Sequence, residues 1–382
     1  MINFRDGTIA YSILLHIASA GEFPWSSLNL LGDKRIYQRR IADLKAEGYV
    51  TVNGSGEQKT IRMTKKALKV IQEKAPAYYS NYMSVTDNHH FRAGTYKAGN
   101  TGARQTQRRH RMAEIICFVE ALDFKYLPLD KPQLKIVQDD NKPIKKQDKL
   151  FYSSRELKNT DTQQRYKTEF TRIMGVLYSP GGVYCVYHTN KGLMKWNSQG
   201  EGKAQVLVDD ITRASHEEEN TKTNKAIMFV KDMNVANEIL SSKGGVSDAL
   251  GFEPLSFDNT YANIYIVPLD INGILQAKII TTENWYNTIR TAMFEEQYIS
   301  YTHSTIDCDA IVDNKDYKLM FFDGDIGRLK RFKQAISANN AEHFTVFCFD
   351  WQLDFLKKYM PEGVEITPIP HGVVLKFLKP KQ

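Results

Sequence analysis

The sequence predicts an α+β chain in two parts, a small helical segment closed by a β-hairpin and then a longer α/β region. Three observations predict it. Helix-spaced apolar residues give way to two short strands within residues 1–78, and from Phe151 onward strands and helices alternate. Charge divides the chain in the same way: residues 1–112 hold 18 Lys and Arg against 8 Asp and Glu, a net of +10, while the rest holds 33 against 36, a net of −3. The basic character therefore belongs to the N-terminal part and points to a polyanionic partner there.

With 382 residues the chain is long enough for two or three domains. No apolar run approaches the ~20 residues of a membrane span, and MINFRDGTIAYS does not read as a signal peptide. Cys117, Cys185, Cys308 and Cys348 are scattered in apolar stretches, without zinc spacing. Buried thiols in a reducing, cytoplasmic compartment are the expectation.

In order along the chain, Ile9, Ile13 and Ile17 mark a first helix that Gly21 stops. A second, short helix follows from Pro24, with Gly32 after its end. Asp33 is a good N-cap for a third, which Gly48 ends. On it Tyr37, Ile41 and Leu44 form the inward stripe, and Arg35, Arg39, Ala42 and Ala46 lie opposite with Gln38 on the flank. Two arginines one turn apart beside small alanines suit close approach to a DNA groove, where Arg bonds guanine and Gln bonds adenine. An ordinary solvated arginine face has the same pattern. Tyr49–Val52 and Thr60–Met63 then read as strands around the Gly-rich turn 53–59, and Lys65, Lys66, Lys69 and Lys74 lie on a further helix. This is the element order of a winged helix-turn-helix, so residues 1–78 are read as a duplex-DNA-binding domain. Arg35, Gln38 and Arg39 would read bases, and Arg40, Lys59 and Arg62 would hold phosphates.

Residues 79–105, rich in Tyr, Asn, Gly and Thr, are expected to form a linker or a loop that orders on DNA. An amphipathic helix from Gln107 carries Met112, Ile115, Ile116, Val119 and Leu122 inward, with Arg108 and Arg109 placed for phosphate at its start and His110 and Glu114 on its outer face. The α/β domain is assigned to 106–382. It includes strands at Ile173–Tyr178, Val183–His188, Lys225–Lys231, Tyr261–Leu269 and Gly273–Ile280. There is no Walker A loop, no strand-bounded G-x-G-x-x-G and no G-x-S-x-G, so nucleotide hydrolysis and serine-hydrolase chemistry have no support.

One constellation could carry chemistry. Cys308–Val312 and Tyr317–Phe322 read as a hairpin around Asp313–Asp316, with Asp307 and Asp309 at its start, Asp323 and Asp325 at its end, and Lys330 and Lys333 on the following helix. Asp309, Asp323 and Asp325, with Lys330, could hold Mg²⁺ or Mn²⁺ for phosphodiester cleavage. A two- or four-residue turn would pair Ile306 with Asp323 and put Asp307 and Asp309 on the opposite face, whereas a one-residue bulge would gather all the carboxylates. A solvated strand end with helix caps is the competing reading.

Several segments together resemble the replication-relaxation family of plasmids and integrative mobile elements: Lys34-Arg35-Ile36-Tyr37-Gln38-Arg39-Arg40, Arg108-Arg109-His110-Arg111, Phe151-Tyr152-Ser153-Ser154-Arg155-Glu156-Leu157-Lys158, Arg172-Ile173-Met174-Gly175-Val176-Leu177-Tyr178, Asn190-Lys191-Gly192-Leu193-Met194-Lys195-Trp196 and Phe322-Asp323-Gly324-Asp325-Ile326. The resemblance implies a replication-initiation or DNA-relaxation protein of a mobile element, with an α/β domain like a restriction-endonuclease core. Its implied partners are double-stranded DNA, a second copy of the chain, and other replication or conjugation proteins. A working site of that core usually shows Asp and then Asp/Glu-x-Lys, and this chain has Asp325 where that lysine would stand. The alternatives are a non-enzymatic transcription or copy-number regulator, and a metal-dependent restriction or defence nuclease.

Overall fold

The computed structural model describes residues 2–74, 76, 100–136, 142–160, 166, 171–218, 221–242, 253–254, 260–298 and 306–378. They are mixed α and β, in two compact units, Met1–Gln133 and Leu134–Gln382.

In the first unit, α1 (Ile9–Ala20) starts on Thr8, whose hydroxyl accepts from the Tyr11 amide. It is followed by β1 (Phe23–Pro24), a 3-10 turn at Trp25–Leu30 and α2 (Lys34–Ala46). β2 (Val50–Asn53), β3 (Thr60–Met63), α3 (Lys65–Lys74) and α4 (Asn100–Ala121) complete it. The three strands form one antiparallel sheet in the order β1-β3-β2. Leu14, Ile17, Leu28, Leu44, Ile61, Ile71 and Ile116 are buried in one core, each apolar side chain contributing roughly 1.5–3 kcal/mol on burial.

α4 departs from the sequence reading, which puts it inside the α/β domain behind a linker running to 105. It is helical from Asn100, and its Ala113, Ile116 and Cys117 pack into the first unit's core. Residues 79–99 of the expected linker lie outside the described residues. His110 and Glu114, expected on the outer face, are buried, and the Glu114 carboxylate accepts from the Ser27 hydroxyl.

The second unit opens with β4 (Leu150–Ser153), α5 (Ser154–Thr160), β5 (Gly175–Ser179), β6 (Gly182–Asn190), the short β7 (Lys195–Trp196) and α6 (Ser198–Ser215). Then come β8 (Lys225–Val230), α7 (Asn234–Ser241), the short β9 (Glu253–Pro254), which pairs with β7, and β10 (Asn263–Pro268). Its first large sheet has the order β10-β8-β6-β5-β4, with β10, β8 and β6 mutually parallel. Near-continuous apolar stretches such as Ala226–Val230 and Ile264–Val267 are buried, as strands covered on both faces should be.

Helices α8 (Ile271–Ile280) and α9 (Trp285–Met293) follow. The strand expected at Gly273–Ile280 is therefore corrected to helix. Asp270 caps it by accepting from the Gly273 amide, and of the buried residues Gly273, Gln276, Ala277, Ile279 and Ile280, all but Ile279 follow helical rather than alternate spacing. An apolar run of that length looks alike in both states until its cap is recognised.

The chain ends with β11 (Ala310–Val312), β12 (Asp316–Met320), α10 (Ile326–Ile336), β13 (Phe344–Cys348), α11 (Leu353–Tyr359), β14 (Glu365–Pro368) and α12 (His371–Phe377). The second large sheet runs β11-β12-β13-β14, antiparallel at β11 and parallel elsewhere. The two sheets meet where the Ile266 amide donates to the Gly324 carbonyl at 3.0 Å and Tyr265 bridges to Asp325. Among the described residues no helix is long and apolar enough to cross a membrane.

Candidate functional site: an exposed arginine helix and a closed acidic cluster

Two groups of residues singled out in the sequence lie in separate units, and the structure treats them differently. In the first unit, Asp33 caps α2 by accepting from the Arg35 amide at 2.8 Å and the Ile36 amide at 3.3 Å. Ile41 and Leu44 are buried, which turns the other face of α2 to solvent. There Arg35, Arg39, Ala42 and Ala46 are exposed, Gln38 is half-buried on the flank, and Ile36 stands 53% exposed at the helix start. Among the described residues neither Arg35 nor Arg39 has an acidic partner.

The other basic residues expected to meet DNA divide. Arg40 pairs with Asp43 at 3.4 Å along the helix. Lys59, at the end of the β2–β3 turn, holds its ammonium 4.0 Å from the centre of the Trp25 ring. Arg108 is exposed. Arg109 is not: its guanidinium is buried on Glu22 at 2.6 Å, and Arg62 reaches the same carboxylate oxygen at 3.0 Å. Glu22 is itself buried, so an unpaired charge there would be costly, and two arginines balance it. Arg109 and, in part, Arg62 are thus corrected from phosphate ligands to internal braces of the fold.

In the second unit the acidic hairpin has a register that the sequence leaves open. The turn between β11 and β12 holds three residues, with Asp313 and Asn314 both left-handed at φ 51 and 57. Val312 therefore pairs with Asp316 and Ala310 with Lys318. An odd-numbered turn changes the parity of the pairing just as a bulge would. Asp309 consequently turns inward toward Asp323 and Asp325, and all three are buried.

The cluster is closed by protein groups. Asp309 accepts from Arg328 Nη2 at 2.8 Å, from the Tyr286 hydroxyl at 2.5 Å and from the Met320 amide at 2.5 Å. Asp325 caps α10 through the Gly327 and Arg328 amides and accepts from Asn263 Nδ2 at 2.6 Å. Asp323 accepts from the Asp325 amide at 3.1 Å. Asp307, half-buried, accepts from Arg328 Nε at 3.3 Å and Arg331 Nε at 2.8 Å. Burial pushes the Asp323 carboxyl up to about 7, Asp325's charge adds to the rise, and Arg328 opposes it. Asp325 is also raised by burial, with Asn263 and Arg328 pulling the other way. Burial works against the charge on Arg328, but Asp309 and the neighbouring groups hold it firmly protonated.

These interactions are what the expected metal site consists of in the structure. Asp309, Asp323 and Asp325 do share a neighbourhood, yet each carboxylate is engaged by amides, Tyr286, Asn263 or Arg328. Among the described residues no group of three or more His, Cys, Asp or Glu side chains is arranged to hold a metal ion. Lys330 does not reach back. Two residues past Arg328 it emerges on a different side of α10, in a cleft it shares with α7 and α11. Sequence reasoning misses Arg328, Tyr286, Asn263 and Gln276. Only Arg328 leaves a signal, three residues after Asp325 on the helix that Asp325 caps.

The chain matches no protein-family model, no curated protein and no solved structure.

Proposed function

We propose that the first unit is a winged helix-turn-helix that binds duplex DNA, with α2 in the major groove and the β2–β3 hairpin as the wing. The observation that carries this reading is the solvent face of α2. Arg35 and Arg39 are exposed one turn apart without acidic partners among the described residues, whereas Arg62, Arg109, Arg328 and Arg331 are all engaged with carboxylates. Ala42 and Ala46 leave room for a groove wall, Gln38 can bond adenine, and Ile36 offers an apolar surface for a thymine methyl. Arg40, Lys59 and Arg108 are assigned to phosphates in this reading.

The resemblance to replication-relaxation proteins supports a plasmid or integrative-element origin as the bound DNA. The closed acidic cluster favours a second reading of what happens there: a non-enzymatic transcription or copy-number regulator, since Arg328 already neutralises Asp309 and Asp307.

Band shifts over a salt series test the DNA reading. Binding should weaken steeply with salt. Arg35→Glu/Arg39→Glu should weaken it further and flatten the log–log slope. Salt-insensitive binding, or none, sinks it. Incubating supercoiled plasmid with Mg²⁺ or Mn²⁺ separates the two readings of the second unit. Nicking that Asp309→Ala abolishes would refute the regulator.

A further inference from the structure

We propose that α2 reads a methyl group in the major groove, carried at C5 by thymine or by 5-methylcytosine, beside a guanine that Arg39 bonds. The proposal rests on the duplex-DNA reading of the first unit and adds which chemical feature of the duplex sets the affinity. Its ground is Ile36, which stands 53% exposed in the first turn of α2. Among the described residues of the first unit only Leu129 is another large apolar side chain so exposed, and it lies on the 3-10 turn Pro128–Asp130. Burial does not account for Ile36. Helix propensity does not either, since Lys, Arg, Gln or Glu would serve an exposed helical position better.

Position, stiffness and chemistry fit this role together. Ile36 precedes Arg39 by three residues on the same helix, so the two side chains are neighbours on its surface, about 5–6 Å apart at their β-carbons. Residues at the start of a recognition helix are the ones that meet base edges. The Ile36 amide donates to the Asp33 carboxylate at 3.3 Å, which fixes the backbone. A β-branched side chain in a helix has one strongly preferred rotamer, so Ile36 loses little freedom when a ligand packs on it. The C5 methyl is the apolar group that the major groove offers, and guanine O6 and N7 beside it take an arginine bidentately. Arg39 is exposed and has no acidic partner among the described residues. Methylated cytosine carries its methyl at the same ring position as thymine, so one apolar contact serves both bases.

The test uses the full chain to select binders from three randomised duplex pools. The first has ordinary bases, the second has uracil in place of thymine, and the third has uracil together with 5-methylcytosine in place of cytosine. Uracil keeps the pairing and the O4 acceptor of thymine and lacks only the methyl. The best binders of the methyl-free pool should be at least about fourfold weaker than the best of the methyl-bearing pools, the worth of one buried methyl. Tight binders from the first pool alone assign the site to thymine, from the third alone to 5-methylcytosine, and from both to the shared methyl. Ile36→Ala, at an exposed position, should melt like the parent and lose the preference, while Ile36→Val should keep most of it. Selection of no duplex from any pool is a failure of the DNA reading itself. Equal affinities across the three pools, or a preference that survives in Ile36→Ala, overturn the methyl reading and leave the DNA reading standing.

Discussion

Gly324 sits between two buried aspartates with φ 72, and a β-carbon there would lie 2.6 Å from the Ile266 carbonyl oxygen and 2.5 Å from Gln276 Nε2. Both the backbone angle and the approach of β10 therefore require glycine. Gln276 Nε2 donates to the Ile266 and Asp323 carbonyls at 2.7 and 2.6 Å, which fixes the turn against the sheet. Gly324→Ala should lower stability by roughly 1–3 kcal/mol, read as a lower calorimetric midpoint. An unchanged midpoint would mean that the turn relaxes freely. Beside it, Asp323 gives a pH prediction. Its folded value of about 7 lies above the ordinary 3.8, so the folded state holds the proton more tightly than the unfolded chain. Stability should then fall as pH rises from about 4 through about 7. Glu201, pushed by burial to about 7 as well, acts in the same direction. Asp323→Asn keeps the oxygen that accepts from the Asp325 amide but cannot ionise. Denaturant midpoints at pH 5 and pH 8 should lie closer together in Asp323→Asn than in the parent, and an equal separation refutes the assignment. Replacing Arg328 removes the counter-charge of Asp309. Arg328→Met should cost about 3–5 kcal/mol, largely recovered in the double variant with Asp309→Asn.

At the scale of elements, α2 divides its work between cap, core stripe and solvent face. Asp33→Ala removes the acceptor for two helix amides and should cost about 1 kcal/mol in a urea melt. Arg35→Glu/Arg39→Glu should leave that melt within about 0.5 kcal/mol of the parent, since these side chains are exposed and have no acidic partner among the described residues. A large loss of stability would show that the arginines brace the fold and are not held out for a ligand. The elements also mark where legibility ends. α1, α2, β2 and β3 are readable because cap, stripe and turn residues all agree within a dozen positions. α8 is not, because an unbroken apolar run satisfies both a buried strand and a buried helix, and only Asp270 and the packing of Gly273 decide between them. The β11–β12 turn differs from the expected length by one residue, which is enough to bring Asp309 to the side of Asp323 and Asp325.

At the scale of the whole chain, the first unit's core includes α4, which sequence reading assigns to the second domain. Ile116 and Cys117 fill that core, and Arg109 neutralises the buried Glu22. A fragment ending at 133 should therefore unfold cooperatively, while one ending at 78 should expose apolar surface and leave Glu22 half-compensated. Thermal melts and dye binding of the two fragments check this, and a cooperative melt from the shorter one would restore a boundary at 78.

The sequence alone determined the N-terminal location of positive charge, the capped helix with Arg35 and Arg39 on one face, and the position of the acidic hairpin. These are local properties, written in residues three or four apart or on either side of one turn. Tertiary structure decided which charges remain available. It drew Arg62 and Arg109 onto Glu22, set Arg328 among Asp307, Asp309 and Asp323, and sent Lys330 to a cleft on another side of the same helix. The reason is physical: the free energy of a buried carboxylate depends on which cation reaches it, and partners 87 or 19 residues apart, as Glu22–Arg109 and Asp309–Arg328 are, leave no periodicity for a sequence to display.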